Sequence, residues 1–256
     1  DSVLVSSSDI ENDLSQILNH INNKDVNVIF NNFQPSAMLN DNKNFDDYIV
    51  KSILNTTRVL TFLINKKIKI KKLIYTSSSS VYGNNKFCTE SDQVKPMNLQ
   101  GALKIANEEL IKRFCYEHKI NFVITRIFNM YGGNDKFSVI SKIKDSYINN
   151  KILNVINGGK SIRDYICIDD VVNVYKLLIN KVDKLPEVMN VSTGKGCSIA
   201  EILLFLEKKR ICINQNNIER TEISASISDI TLLNQTISTE TFLGVKDYLN
   251  QELFIK

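Results

Sequence analysis

The chain has 256 residues, 43% hydrophobic and 23% charged, a composition that excludes a disordered or low-complexity protein and suffices for one large domain or a domain with a smaller lobe. The net charge is only +4, from 32 basic and 28 acidic side chains. Its densest basic run (Lys66, Lys67, Lys69, Lys71, Lys72) reads as a solvated helix end entering a strand, and with no aromatic platform beside it nucleic acid is not expected as a partner.

Residues 3–5 carry the pattern of a short strand. Ile10, Leu14, Ile17, Leu18 and Ile21 then repeat at helical spacing, which predicts a helix over 10–21 with Asp9 as its N-cap. A second strand is expected over 26–30, a helix over 46–64, a strand over 72–77, a helix over 101–117 and a strand over 122–127. Strands of four to six residues alternating with longer helices imply βαβ units, hence an α/β fold with a parallel sheet covered on both faces. Such sheets bind ligands at the carboxyl ends of their strands.

Beyond about residue 133 the rhythm changes. A helix over 138–149, a strand over 152–156, a turn at Asn157, Gly158 and Gly159, and helices over 171–179 and 198–208 are expected, followed by short segments. This divides the chain into 1–133, with returning segments near 152–179, and a smaller lobe that makes up most of 134–256. Five scattered cysteines (Cys88, Cys115, Cys167, Cys197, Cys212) form no CxxC pair, and with His20 and His118 as the only histidines no zinc pattern arises. Such thiols fit a reducing cytoplasm, and neither a membrane span nor a signal peptide is expected. The first residue is Asp1 rather than Met, so the chain is expected to be processed or to be a piece of a longer one.

Five segments carry a family resemblance: YTSSSSVYG at 75–83, PMNLQGALKIANE at 96–108, RIFNMYG at 126–132, RDYICIDDV at 163–171 and NVSTG at 190–194. In this order and spacing the chain resembles the extended short-chain dehydrogenases/reductases, the NAD-dependent epimerase/dehydratase group, which act on nucleotide-linked sugars. The resemblance implies a Rossmann-like sheet domain with a C-terminal substrate lobe, and a homodimer through the helices at 46–64 and 101–117. The stripe Ala102, Ala106, Leu110 and Phe114 suits either that interface or packing on the sheet.

In that family a tyrosinate removes a hydroxyl proton while hydride leaves for nicotinamide, and a lysine one helical turn later lowers the phenol's pKa. The resemblance assigns the strand-end hydroxyl to Ser78 and the lysine to Lys104, which would also touch cofactor. The tyrosine's place holds Gln100, whose amide has no proton to give. Ser79 and Ser80 stand where the family's dehydratases carry an Asp–Glu pair, which implies epimerisation, oxidation or reduction rather than elimination; Ser79 is then a substrate-side residue.

The family's cofactor loop has three glycines that let pyrophosphate reach a helix N-terminus. The first glycine here is Gly83, and Ser7-Ser-Asp-Ile10 matches the family's third strand end, so the first strands are expected to be missing. Asp9 and Ile10 would then meet adenine, while Asn32, Phe33 and Gln34 occupy the cofactor-side positions after the next strand, where the family has small alanines. The family's helix asparagine falls at Ser52 and its glycine at Asn55. On the substrate side, Asn129 matches a diphosphate contact, Arg163 another substrate-side position and Arg220 a later diphosphate contact, with a nucleotide-linked sugar as the implied partner. The bland readings are a loop cap for Asn129 and a pair with Asp164 or Asp169 for Arg163. The cofactor implied is NAD or NADP if the full-length protein keeps a glycine loop, and none otherwise. Two readings follow: an NAD-linked epimerase or dehydrogenase acting on a nucleotide-linked sugar, or a non-catalytic relative that binds such a sugar or serves as a structural subunit.

Overall fold

The computed structural model describes residues 2–21, 25–31 and 45–254. Residues 3–5 are not a strand. Val3, Leu4 and Val5 are exposed and form no strand pairing among the described residues, and strand propensity without a partner leaves the backbone to water. The helix expected over 10–21 starts earlier and breaks. α1 (Ser7–Asn12) is capped by Ser6, whose Oγ accepts from Asp9 N at 3.2 Å while the Asp9 carboxylate accepts from Ser6 N at 2.7 Å. Asp9 is therefore the third helical residue of a capping box, not the N-cap. Asp13 then leaves helical geometry and caps a 3-10 turn, Leu14–Ile17, by accepting from Ser15 N at 2.8 Å. The apolar stripe resumes in α2 (Leu18–Ile21), so a second capping carboxylate cuts one pattern in two.

β1 (Val26–Phe30) forms as expected. The next helix is α3 (Phe45–Ile49) and α4 (Asn55–Asn65), joined by a π-turn at Val50–Leu54. β2 (Ile70–Ser78) runs into a 3-10 turn, Ser79–Tyr82, and β3 (Phe87–Cys88). α5 (Leu99–Glu117) is opened by Asn98, whose side chain accepts from Gly101 N, and β4 (Asn121–Ile127) follows. β1, β2, β4 and β8 (Val188–Val191) make a parallel sheet in that order, with Phe30 beside Tyr75 and Ser78 beside Ile127. α7 (Ile168–Asn180) covers one face, packing Val174 and Leu178 on Ile74, Val123 and Met189. α4 and α5 cover the other, packing Leu60, Leu63, Ile111 and Cys115 on Leu73, Tyr75 and Ile124.

β5 (Asn129–Tyr131), β7 (Ile162–Cys167), β11 (Ala225–Ser228) and β3 form a second sheet, with β9 (Gly196–Ser198) antiparallel to β7. α6 (Val139–Ile148), β6 (Leu153–Ile156), α8 (Ile199–Lys208) and α10 (Val245–Phe254) share a core of Tyr131, Ile140, Ile143, Leu153, Ile202 and Leu249. β10 (Gln215–Ile218) pairs with β6, and α9 (Thr231–Thr236) packs Leu233 under the first sheet.

Two local results bear on the site. Lys69 and Lys71 pair with Asp25, but Lys72 turns its ammonium onto the carbonyls of Leu178, Ile179 and Lys181 and so caps the C-terminus of α7. In α5, Ala102 and Ala106 are exposed while Leu103, Ile111 and Cys115 are buried, so the alanine stripe faces away from the sheet.

Gly101 lets the first turn of α5 lie against the loop after β2. A Cβ there would stand 2.7 Å from the Ser80 carbonyl oxygen and 2.9 Å from Pro96 Cβ. Gly101→Ala is expected to cost about 1–3 kcal/mol through overpacking, read as a lower urea midpoint at constant m-value. An unchanged midpoint would show that the Ser80 backbone gives way freely.

Candidate active site

The carboxyl ends of β1, β2 and β4 lie side by side on one edge of the parallel sheet, the edge at which ligands bind in such sheets. β2 delivers Thr76, Ser77 and Ser78 there, and α5 leans over them because Gly101 permits it. Lys104, buried to 6% exposure, donates from Nζ to the Thr76 carbonyl at 2.6 Å and lies 5.1 Å over the Tyr75 ring. Burial disfavours its charged form and lowers its pKa to about 7. Gln100 is half-buried one turn earlier. Ser78 Oγ accepts from Ser80 N at 3.2 Å and caps the 3-10 turn. Ser79 is half-buried beside it, and Ser80 Oγ is buried with no hydrogen-bond partner among the described residues.

A line of hydroxyls crosses the sheet beneath this point. Thr76 Oγ1 is 2.6 Å from Asn31 Oδ1 and 2.7 Å from Tyr175 OH. Tyr175 OH is 2.6 Å from Thr125 Oγ1, which donates to the Tyr75 carbonyl at 3.2 Å.

On the helix side, the π-turn places Ser52 against α5. Asn107 Nδ2 donates to Ser52 Oγ at 2.8 Å, and Thr56 Oγ1 donates to the Ser52 carbonyl at 2.7 Å. Asn55 donates to Glu11 and accepts from Arg58, both at 3.1 Å.

On the substrate-lobe side, Asn129 Nδ2 donates to the Asp164 carbonyl at 3.1 Å, which ties the loop after β4 to β7. Arg163 pairs neither with Asp164 nor with Asp169. It pairs with Glu222 at 3.2 Å and donates to the Ile162 carbonyl. The Asp164 carboxylate is fully buried instead and accepts from Thr193 N, Thr193 Oγ1, Gly194 N and Ser228 N. Burial pushes its pKa above the usual carboxylate range. Arg220 is exposed, its backbone N–H bonded to Asn157 Oδ1 at 3.0 Å.

The structure thus gathers Ser78, Ser79, Gln100 and Lys104 where β2 meets α5, and joins Asn129 to β7, the strand that carries Arg163. Asp9 and Ile10 sit on α1, with the Asp9 carboxylate committed to Ser6, and no hydrogen bond among the described residues links them to either group. Asn32, Phe33 and Gln34 lie outside the described residues.

Sequence reading passed over the charged network that fixes the end of β2. Arg126 on β4 and Glu108 on α5 form a two-pronged pair, Nε to Oε1 at 3.1 Å and Nη2 to Oε2 at 2.8 Å, with side chains 4% and 3% exposed. Ser77 Oγ donates to the same carboxylate, and Arg126 Nη1 donates to Tyr82 OH, which donates to Asn190 on β8. The available signal was a glutamate four residues after Lys104, one helical turn along.

The residues present fit one half of a dinucleotide site. Ser78, Lys104 and the strand ends supply a polar floor, but the first glycine of the sequence, Gly83, lies beyond β2, so neither β1 nor β2 is followed by the three-glycine turn that brings pyrophosphate to a helix N-terminus. No step is therefore routed through a nicotinamide.

Glu108→Gln is expected to cost about 3–5 kcal/mol by leaving Arg126 buried and unpaired. The double variant Glu108→Leu/Arg126→Met should recover most of that loss in a double-mutant cycle by urea denaturation; equal losses in single and double variants would argue against the pair. Lys104 makes a pH prediction with a definite sign. Its folded pKa is about 7, below its ordinary value of 10.5, so between these values the unfolded chain holds a proton that the folded chain lacks. Stability is then expected to rise with pH across that window, and Lys104→Met to flatten the rise; the same slope in both proteins would contradict this.

A model of the NAD dependent epimerase/dehydratase family matches residues 9–192. The chain is 30% identical over 142 residues to a dTDP-D-glucose 4,6-dehydratase of Dictyostelium discoideum, covering 50% of this chain and 32% of that protein. It is 26% identical over 190 residues to a putative UDP-glucose 4-epimerase of Methanocaldococcus jannaschii, covering 71% and 60%. It thus spans less than two thirds of these curated relatives. Among solved structures, the UDP-glucuronic acid 4-epimerase of Bacillus cereus, in complex with UDP-glucuronic acid and NAD, superposes with a TM-score of 0.83 at 25% identity, covering 95% of this chain and 78% of that one.

Proposed function

The chain belongs to the NAD dependent epimerase/dehydratase family, and from that premise we propose that it binds a nucleotide-linked sugar at the carboxyl ends of the strands, beside the C-terminal lobe, without turning it over on its own residues. The observation that carries the reading is an asymmetry. The substrate side is built, with Asn129 anchored to β7 and Arg163 aimed by Glu222, while the proton-transfer side has Gln100 one turn before a buried Lys104. An amide at that point neither accepts the proton of a sugar hydroxyl nor responds to the lysine's charge. Asn129 and Arg163 are assigned to the diphosphate and sugar, with Ser79 beside the sugar and Arg220 at the rim. Elimination of water is not proposed, because Ser79 and Ser80 hold no carboxyl group to take or give the proton. Residues Asp9, Ile10, Asn32, Phe33 and Gln34 are assigned to NAD only in a protein that also carries a glycine loop.

A second reading is favoured by one observation, the Lys104 ammonium bonded to the Thr76 carbonyl two residues before the strand-end Ser78. On that reading the protein is an NAD-linked epimerase or dehydrogenase with a different proton carrier. Both readings include a cytoplasmic protein and a homodimer through α3–α4 and α5, whose outer faces show Leu54, Ala102, Ala106 and Tyr116.

Calorimetry with UDP-glucuronic acid and UDP-glucose, alongside a turnover assay with added NAD, separates them. The binding reading expects saturable binding of at least one sugar nucleotide, a loss of about tenfold in Arg163→Ala, and no turnover in the chain or in Gln100→Tyr. Turnover by the unmodified chain establishes the second reading, and absence of binding to every sugar nucleotide tried sinks the first.

A further inference from the structure

Two arginines of this fold meet a glutamate, and the two pairs differ in kind. Arg126 and Glu108 are joined at two points and removed from water. Arg163 meets Glu222 at one point, Nη2 to Oε2 at 3.2 Å, and the two side chains keep 17% and 21% of their surface. That contact is longer than the roughly 2.7–2.9 Å usual for a charge-assisted bond. The partners are also held differently. Arg163 sits on β7 with Ser226 of β11 as one strand partner and Cys197 of β9 as the other, and its neighbour Asp164 is tied down by four donors. Glu222 lies in 219–224, the irregular stretch between β10 and β11. Its other oxygen accepts from Asn157 Nδ2 at 3.3 Å, again a long contact. The arginine's backbone is thus fixed, and the carboxylate is the partner that the strands do not hold. Arg163 Nη1 donates to the Ile162 carbonyl, and among the described residues no hydrogen bond takes its Nε proton.

We infer that Glu222 is an internal competitor of the ligand: its carboxylate holds the place on Arg163 that an anionic oxygen of the ligand takes, so that binding exchanges one anion for another and Glu222 sets the affinity. The inference rests on the nucleotide-sugar reading and names the diphosphate as the part of that ligand concerned. The exchange is one of like groups. Carboxylate and phosphate oxygens both accept from a guanidinium, but a diphosphate carries more charge and more oxygens, and it can meet Nη2 and the Nε proton together where Glu222 takes Nη2 alone. The guanidinium keeps surface open to solvent, so a ligand anion reaches it without opening the core, whereas Arg126, 4% exposed, is closed to one. Little else has to move. The Asn157 side chain holds both backbone groups of Arg220 in the same stretch, so Glu222 leaves by turning its side chain. The exchange also selects, because a neutral sugar does not displace a carboxylate from a guanidinium and a diphosphate does.

Calorimetry with UDP-glucose and with inorganic pyrophosphate tests this in the parent chain, Glu222→Gln, Arg163→Ala and the double variant. Glu219→Gln is the control, since it removes the same charge from the same stretch. Glu222→Gln keeps the length of the side chain and its acceptor toward Asn157, so the thermal midpoint should stay where it is. A partly exposed ion pair carries little free energy, so the gain expected in Glu222→Gln is about two- to fivefold tighter binding of both probes. Glu219→Gln should change affinity by less than about 1.5-fold, because solvent and salt screen a charge that touches no arginine. In the Arg163→Ala background Glu222→Gln should give no gain, since the competition is for that guanidinium. Equal gains in the Glu219 and Glu222 variants, or a gain that survives Arg163→Ala, reduce the effect to net charge and overturn the inference. Unchanged or weaker binding in Glu222→Gln overturns it as well, and weaker binding makes Glu222 a residue that only aims Arg163. If pyrophosphate shows the Glu222 dependence and UDP-glucose does not bind, the exchange at Arg163 stands and the nucleotide-sugar reading falls. If UDP-glucose binds with an affinity indifferent to Glu222, the reading stands and the exchange falls; if neither probe binds any variant, both fall.

Discussion

The end of β2 is held by one ion pair. Arg126 and Glu108 are both removed from water, and each is costly there unless the other is present with its remaining protons and lone pairs met. The structure meets them with Ser77, Tyr82 and the Glu90 carbonyl, so the pair reaches β2, β4, β8 and α5 at once. Tyr82 belongs to the turn that follows Ser78, and Glu108 lies one helical turn beyond Lys104. The hydroxyl end of the strand and the lysine of the helix are therefore positioned by the same buried charges. Gly101 completes this arrangement from the other end of the turn, since a side chain there would push α5 away from Ser80.

From that anchor the site divides into two chemistries. Around Lys104 the surroundings are apolar and closed, and the lysine is bound to a peptide carbonyl over an aromatic ring, an environment that favours its neutral form. Around Arg163 the surroundings are charged, and its guanidinium keeps a carboxylate partner at partial exposure. A buried amine acts on a nearby group through the field it sets up when charged. With Gln100 in the neighbouring turn, no phenol stands where the family resemblance places its proton carrier. The Arg163 and Glu222 side chains keep 17% and 21% of their surface, so the guanidinium retains an edge open to solvent. The residue change falls on the lysine side of the site, at Gln100, and the guanidinium side keeps its Arg163.

Much of the scaffold could be read from residues alone, for a physical reason. β1, β2, β4 and the helices between them lie in a sheet buried on both sides, and such elements announce themselves as apolar runs and 3.6-residue stripes. The misreadings are at places where polar side chains compete for the backbone. Asp9 looked like a cap, but Ser6 outside the stripe took that role and made Asp9 its reciprocal partner. Asp13 ended a helix whose apolar spacing continued. Residues 3–5 had strand composition and no strand to pair with. In the site, Ser78, Gln100 and Lys104 were legible because they stand at fixed offsets from a strand end and along one helix. Asn31, Glu108 and Asp164 were not, since their importance comes from partners 45, 18 and 29 residues away, visible only once the fold brings them together.

The substitutions on the proton-transfer side are accommodated. Where the family resemblance leads one to expect an asparagine on the helix, Ser52 is shorter, and the gap is met from the opposite helix by Asn107, which reaches both the Ser52 hydroxyl and its carbonyl. The π-turn Val50–Leu54 turns that carbonyl toward α5, and Thr56 bonds it from one turn along. Asn55, in place of a glycine, is tied to Glu11 and Arg58. A side chain placed at random in a buried helix contact leaves orphaned polar atoms, and each costs about 1–3 kcal/mol. Here the replacements make several bonds for few orphans, so the altered residues and the surrounding fold are mutually adjusted. Gln100 is thus one of several altered positions that the fold accommodates, and a single Gln100→Tyr change would restore the phenol and leave the rebuilt helix contact beside it untouched.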